Sequence, residues 1–186
     1  GAWQDYEKRD ILKKKFAGHY VKETYSLFLL RCISVLKIHG RLSFIIPDTY
    51  LFLNMHSRLR EVLFTNTKID EVLIFHSEFF PGVSFGYSNL SIITLERCEN
   101  SEALNNTFRV IQGFKSPSEF ESLLEKDNIL PEHLQVFNFT QKEVFSAEPF
   151  RPFCCRKGRL MLCNLKCQFR EKGSYHFSDF PENSRE

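Results

Sequence analysis

Apolar residues recur along this chain first at helical and then at strand spacing. Tyr25, Phe28, Leu29, Cys32, Val35 and Leu36 fall at i, i+3, i+4, i+7, i+10 and i+11. That spacing predicts an amphipathic helix with this stripe facing the core. A short basic helix over Asp5 to Phe16 precedes it, and Gly40 stands where a left-handed cap is expected. Leu42-Ser43-Phe44-Ile45-Ile46, stopped by Pro47, predicts a strand buried on both faces of a parallel sheet. Met55, Leu59, Val62 and Leu63 predict the next helix, capped by Asn54. Ile69 to Phe75 and Asn89 to Glu96 predict two more buried strands, separated by a loop rich in aromatic residues and glycine. Helix, strand, helix, strand, loop, strand is the order of a doubly wound α/β sheet, and it amounts to about half of one.

The character changes after Cys98. A polar linker, Asn100 to Asn106, leads to a short candidate strand at Phe108 to Ile111. Ser116-Pro117-Ser118-Glu119 and Thr140-Gln141-Lys142-Glu143 carry helix-start signals. Leu160, Leu162, Leu165 and Phe169 predict a basic helix in the tail, and Ser178-Asp179-Phe180 opens a further element. The chain therefore divides into residues 1–98, a partial α/β domain, and 99–186, a mainly helical connector.

Composition narrows the class. Of 186 residues 42% are apolar and 26% charged, and 20 phenylalanines against 8 glycines give ample core material. No apolar run approaches the roughly 20 residues of a membrane span, and no export signal opens the sequence, so the expected compartment is the cytoplasm. Net charge is uneven: residues 1–150 carry −2 and residues 151–186 carry +4. The basic tail suits either a solvated helix face or a polyanionic partner. Cys154, Cys155, Cys163 and Cys167 lack the paired C-x2-C spacing of structural zinc, so no metal site is expected. The six histidines form no zinc-hydrolase pair, and there is no G-x-S-x-G elbow, no G-x-G-x-x-G and no phosphate-binding P-loop.

Four segments together resemble a known family. They are Glu23-Thr24-Tyr25-Ser26-Leu27-Phe28, Val35 through Tyr50 (with Gly40-Arg41-Leu42-Ser43-Phe44-Ile45-Ile46-Pro47-Asp48 at its heart), Leu59-Arg60-Glu61, and Glu78-Phe79-Phe80-Pro81. Their order resembles the C-terminal half of the catalytic domain of TaqI-like DNA adenine-N6 methyltransferases, the group that includes bifunctional restriction–modification enzymes. The resemblance covers Asp5 to Arg97 well. Beyond Phe108 it is looser and is similar to a connector leading toward a target-recognition domain.

The resemblance implies a Rossmann-like fold, S-adenosylmethionine as the cofactor of the parent enzyme, and double-stranded DNA as its partner. Such enzymes flip adenine into a pocket made by an Asn-Pro-Pro-Tyr loop. Neither that loop nor a glycine-bearing first strand occurs in this sequence. The family places both upstream of the matched region, so no catalytic residue and no bound cofactor are expected for this chain alone. The resemblance puts Phe80 at the edge wall of the target-base pocket, and Phe28, Pro47, Asp48 and Tyr50 along the cleft. The physics of the residues leaves two readings of Phe80 open: a stacking surface for an extruded base, or a cap on the core beside Pro81. Tyr50 is equally readable as a core residue. A non-catalytic DNA-binding or protein-interaction module on a decayed methyltransferase fold is the alternative function. Half a sheet also leaves a strand edge and an apolar face uncovered, so self-association is expected.

Overall fold

The computed structural model of the chain describes residues 6–80, 89–123, 130–146, 153–156 and 159–162. Helix α1 spans Tyr6–Lys15 and helix α2 spans Thr24–Val35. Eight of the twelve positions of α2 are apolar, so two stripes compete for the core. The inward one runs through Ser26, Leu27, Leu29, Leu30 and Ile33, whereas Phe28 and Val35 of the expected stripe stand out in solvent. After α2 the left-handed residue is His39 (φ 63°) and not Gly40. Gly40 is needed for a different reason: a Cβ there would lie 2.8 Å from the carbonyl oxygen of Lys37.

Strand β1 is Arg41–Pro47, and its expected place inside a parallel sheet needs correction. It lies at the edge, antiparallel to β3 (Asn89–Arg97), with Leu42, Phe44 and Ile46 turned to the core and Ile45 half in solvent. An apolar run bounded by proline suits either position, and only the pairing partner distinguishes them. The chain then makes two 3-10 turns, Asp48–Leu51 and Asn54–His56. Helix α3 follows at Ser57–Asn66. Its N-cap position is His56, two residues beyond the expected Asn54, and no side chain caps it.

Strand β2 is Thr67–His76 and pairs antiparallel with β3 and parallel with β4, Thr107–Gln112. Strand β5, Gln135–Thr140, closes the sheet in the order β1-β3-β2-β4-β5. The sheet is thus mixed, with only the β2–β4 pair parallel. Short helices α4 (Asn100–Ala103) and α5 (Gln141–Ser146) flank it. Strands β6 (Phe153–Arg156) and β7 (Arg159–Leu162) form a separate hairpin, so Leu160 and Leu162 lie in a strand and not in the expected helix. The described part of the expected connector is richer in strands than in helices. The loop at 81–88, the cysteines Cys163 and Cys167, and residues 178–180 lie outside the described residues.

The strand register gives the sheet two unlike faces. Phe44, Ile93, Val72, Val110 and Phe137 form one apolar row across all five strands. That face carries the main core with Leu29, Ile33, Leu59, Leu63 and Phe64 of α2 and α3. One residue along, Ser43, Thr94, Glu71, Arg109 and Asn138 form a polar row on the opposite face, tied by the Ser43–Thr94 hydroxyl bond at 3.1 Å and the Glu71–Arg109 ion pair. Further along this second face, Leu73, Phe75, Ile111 and Phe114 build a smaller core. Alternation of this kind is what a half-solvated sheet requires.

Candidate functional site

The carboxyl ends of β1, β2 and β4 and the start of β3 lie at one end of the sheet, where α/β folds place ligands. Pro47 ends β1, and Asp48 begins the 3-10 turn after it. Asp48 is 4% exposed and its Oδ2 accepts a hydrogen bond from Asn89 Nδ2 at 3.3 Å. Burial pushes its carboxyl from 3.8 up to about 6, with the Asn89 and backbone bonds holding it from rising further. Tyr50 is 1% exposed. Its hydroxyl accepts a 3.4 Å bond from Ser91 Oγ, and burial drives its pKa well upward. Its ring therefore packs as core at the floor of this end.

Arg60 fixes the turn from below. It is wholly buried, and its Nη1 donates to the carbonyls of Tyr50 at 2.7 Å and Leu53 at 2.8 Å. A second group ties the turn to α2. His56, 1% exposed, brings Nε2 within 2.9 Å of Glu23 Oε2 and 3.0 Å of the Tyr25 hydroxyl. A carboxylate only accepts, so Nε2 carries the proton. The Tyr25 oxygen is then a second acceptor, and its own proton goes to Thr49 Oγ1 at 2.8 Å. Tyr20 adds an edge-on ring 5.4 Å from the imidazole. Glu23, Tyr25, His56 and Arg60 thus hold Asp48–Leu51 in one conformation.

The third component follows β2. The 3-10 turn Ser77–Phe79 brings Phe79 onto Phe75, stacked at 5.9 Å and 20°. Phe80 tilts against the same ring at 6.1 Å and remains 37% exposed. Phe120 meets Phe75 edge-on at 5.1 Å and Phe114 at 4.6 Å. Phe80 is therefore a partly exposed ring on an aromatic base.

Of the residues singled out from the sequence, Pro47, Asp48, Tyr50 and Phe80 share this end of the sheet. Phe28 does not: it lies against Phe44 in the middle of β1, 5.5 Å between centroids, and is 60% exposed. Glu23, His56, Asn89 and Arg60 were missed as site residues. For Arg60 the signal was present, since a charged residue beside Leu59 in a helical apolar pattern marks a position to explain. Among the described residues no group of three or more metal-ligating side chains converges, and no helix is long and apolar enough to cross a membrane.

Comparison with known proteins fits this architecture. Residues 3–80 match the family model of the Eco57I restriction-modification methylase. No curated protein matches the chain by sequence. The M protein of the type I restriction enzyme EcoKI superposes with a TM-score of 0.52 at 13% identity, over 72% of this chain and 37% of its own. A modification subunit assigned to a type I restriction enzyme of Vibrio vulnificus YJ016 superposes with a TM-score of 0.54 at 16% identity, over 80% of this chain and 32% of its own. At these identities the likeness is one of fold, and the chain spans about a third of each of these structures. The resemblance read from the sequence and the methyltransferase-like α/β fold both agree with these matches.

Proposed function

We propose that this chain, whose residues 3–80 match the family model of the Eco57I restriction-modification methylase, forms the second half of the catalytic domain of a site-specific DNA adenine-N6 methyltransferase acting in the cytoplasm. The observation that carries the reading is the family match, together with the partly exposed Phe80 ring at the carboxyl end of the sheet, beside the turn that bears Asp48. A base drawn from a duplex loses its stacking, and an exposed ring on a rigid aromatic base returns part of it without moving. Pro47 and Asp48 line the same end, held by Arg60 and His56.

The cofactor of such an enzyme is S-adenosylmethionine, which supplies an electrophilic methyl group when bound. The described residues do not fit it. The carboxyl end of β1 is filled by Tyr50 and by the Asp48–Asn89 pair, leaving no cradle at that strand. A cavity of about 400 Å³ at the other end of the sheet is lined by Lys15, Arg31 and Arg97, the wrong sign for a sulfonium. No step through the cofactor is assigned to this chain, and catalysis is placed in the parent enzyme.

Isothermal titration and a methyl-transfer assay on the 186-residue chain test the reading. Neither tight S-adenosylmethionine binding nor DNA methylation is expected, and a micromolar dissociation constant overturns the half-domain reading. The net +4 of residues 151–186 favours a second reading, a non-catalytic DNA-binding module. That reading requires the chain alone to bind duplex DNA with a strong salt dependence.

A further inference from the structure

At the amino end of β1 and β2, opposite the site above, α1, α2 and α3 leave a cavity of about 400 Å³ between them. Among the described residues its polar lining is Lys15, His19, Arg31, Ser34, Asn66 and Arg97, with no Asp or Glu. All three helices end here, and each C-terminus brings roughly half a negative charge. Arg97 answers the end of α2, donating to the carbonyls of Ser34 at 3.1 Å and of Leu36. Lys15 lies in the last turn of α1, and with Arg31 it brings more positive charge than the other two helix ends offset. Arg31 Nη1 reaches only as far as Ser34 Oγ, at 3.5 Å. The Nδ1 of His19 is buried and has no hydrogen-bond partner among the described residues. Phe16, Leu30, Ile33 and Val62 form an apolar wall of the cavity.

A buried ring nitrogen without a partner is costly, and three full positive charges exceed the partial negative charge that the helix ends bring. One kind of ligand answers both. We propose that this cavity is an oxyanion site that takes a phosphate or pyrophosphate group, held by Lys15, Arg31 and His19 Nδ1. A guanidinium fork and an ammonium are the side chains that suit tetrahedral phosphate, and the volume is at the small end of ligand sites. Burial and nearby Arg58 lower the His19 pKa, while Glu61 opposes them. Arg58 and Glu61 pair with each other at 3.0 Å, so they offset much of each other's field at the imidazole. A bound anion then raises the His19 pKa, because it stabilises the imidazolium. The inference does not depend on the methylase reading.

The test is a titration of the full chain with sodium pyrophosphate at constant ionic strength, followed by NMR of the histidine rings, with His19→Gln assigning the signal. The expected result is a saturable shift of His19 with a rise in its pKa. Affinity should fall about tenfold in Lys15→Gln and in Arg31→Gln, the cost of one charge-assisted contact. Ser34→Asp, which places a carboxylate in the cavity, should abolish binding with the fold intact by circular dichroism. Displacement of pyrophosphate by a short duplex identifies the nucleic-acid backbone as the source of the phosphate, and failure to displace it identifies a free ligand. Absence of a saturable His19 shift overturns the proposal, as does unchanged affinity in Arg31→Gln, or a shift with duplex but none with pyrophosphate.

Discussion

Gln141, the first residue of α5, accepts a hydrogen bond from the backbone N–H of Ile69 at 2.8 Å, across 72 residues of chain. Ile69 keeps its partner Leu95 at the edge of a bulge, where the register of β2 against β3 slips before Glu71. Its carbonyl is answered as well, by Asn106 Nδ2 at 2.6 Å. Gln141 Nε2 donates onward to the carbonyls of Phe64 at 3.0 Å and Thr67 at 2.8 Å. A single buried amide therefore closes the α3–β2 junction and welds α5 to it.

Replacing Gln141 with methionine keeps the volume and removes every one of these partners. Each buried group left unsatisfied costs about 1–3 kcal/mol, so a loss of at least about 3 kcal/mol is expected in urea unfolding. A loss below about 1 kcal/mol would show that water replaces the amide at the bulge.

Asp48 gives the chain a distinctive dependence on pH. Its folded-state carboxyl keeps its proton to about pH 6, whereas its ordinary value is 3.8. Folding therefore takes up a proton between these limits. The contribution of Asp48 is fully favourable below about pH 4, declines as pH rises to about 6, and is flat above that, spanning on the order of 3 kcal/mol. Glu96, Glu102, Glu119 and Glu143 have lowered values and contribute the opposite slope at low pH. The difference between the wild type and Asp48→Asn isolates the effect. The variant should be the more stable at pH 7 and lose that advantage toward pH 4, as read by denaturation at several pH values.

Sequence reading reached some of these elements and not others. β2 and β3 were legible because each is a largely apolar run, whereas Asp48 was singled out only through the family resemblance. The face of α2 was not legible: Phe28 and Leu29 are equally apolar, and packing against β1 and α3 decides between them. The edge position of β1 was hidden for the same reason. Glu23 and His56, 33 residues apart, and Asn106 and Gln141, 35 apart, become partners only after the sheet forms. No local spacing announces them.

The edge of β1 gives a prediction about association. Among the described residues β1 has one strand neighbour, β3, and Ile45, Phe28 and Val35 beside it are 52%, 60% and 61% exposed. Open edges with apolar flanks add strands. The isolated chain should therefore self-associate in sedimentation velocity as its concentration rises. Ile45→Lys should return it toward monomer, because a charge on an edge strand opposes pairing. A monomeric wild type at high concentration would contradict this.

Phe80 decides between a wall of the target-base pocket and a lid on the second core. Phe75 beneath it is 3% exposed, while Phe80 is 37% exposed, so the two rings should separate stability from binding. In the full-length parent, Phe80→Ala should weaken binding of the flipped base by about 1–3 kcal/mol, the range for one base–aromatic stack. Its effect on stability should stay well below the roughly 3–5 kcal/mol expected of Phe75→Ala, which empties a packed site. Phe80→Trp should keep most activity, since any π surface stacks, whereas a closed core site would resist the larger ring. Fluorescence of 2-aminopurine at the target position, paired with a melting curve for each variant, reads both quantities. If Phe80→Ala keeps the flipped-base signal and lowers the melting temperature as far as Phe75→Ala does, Phe80 belongs to the core. The base pocket then has its wall elsewhere.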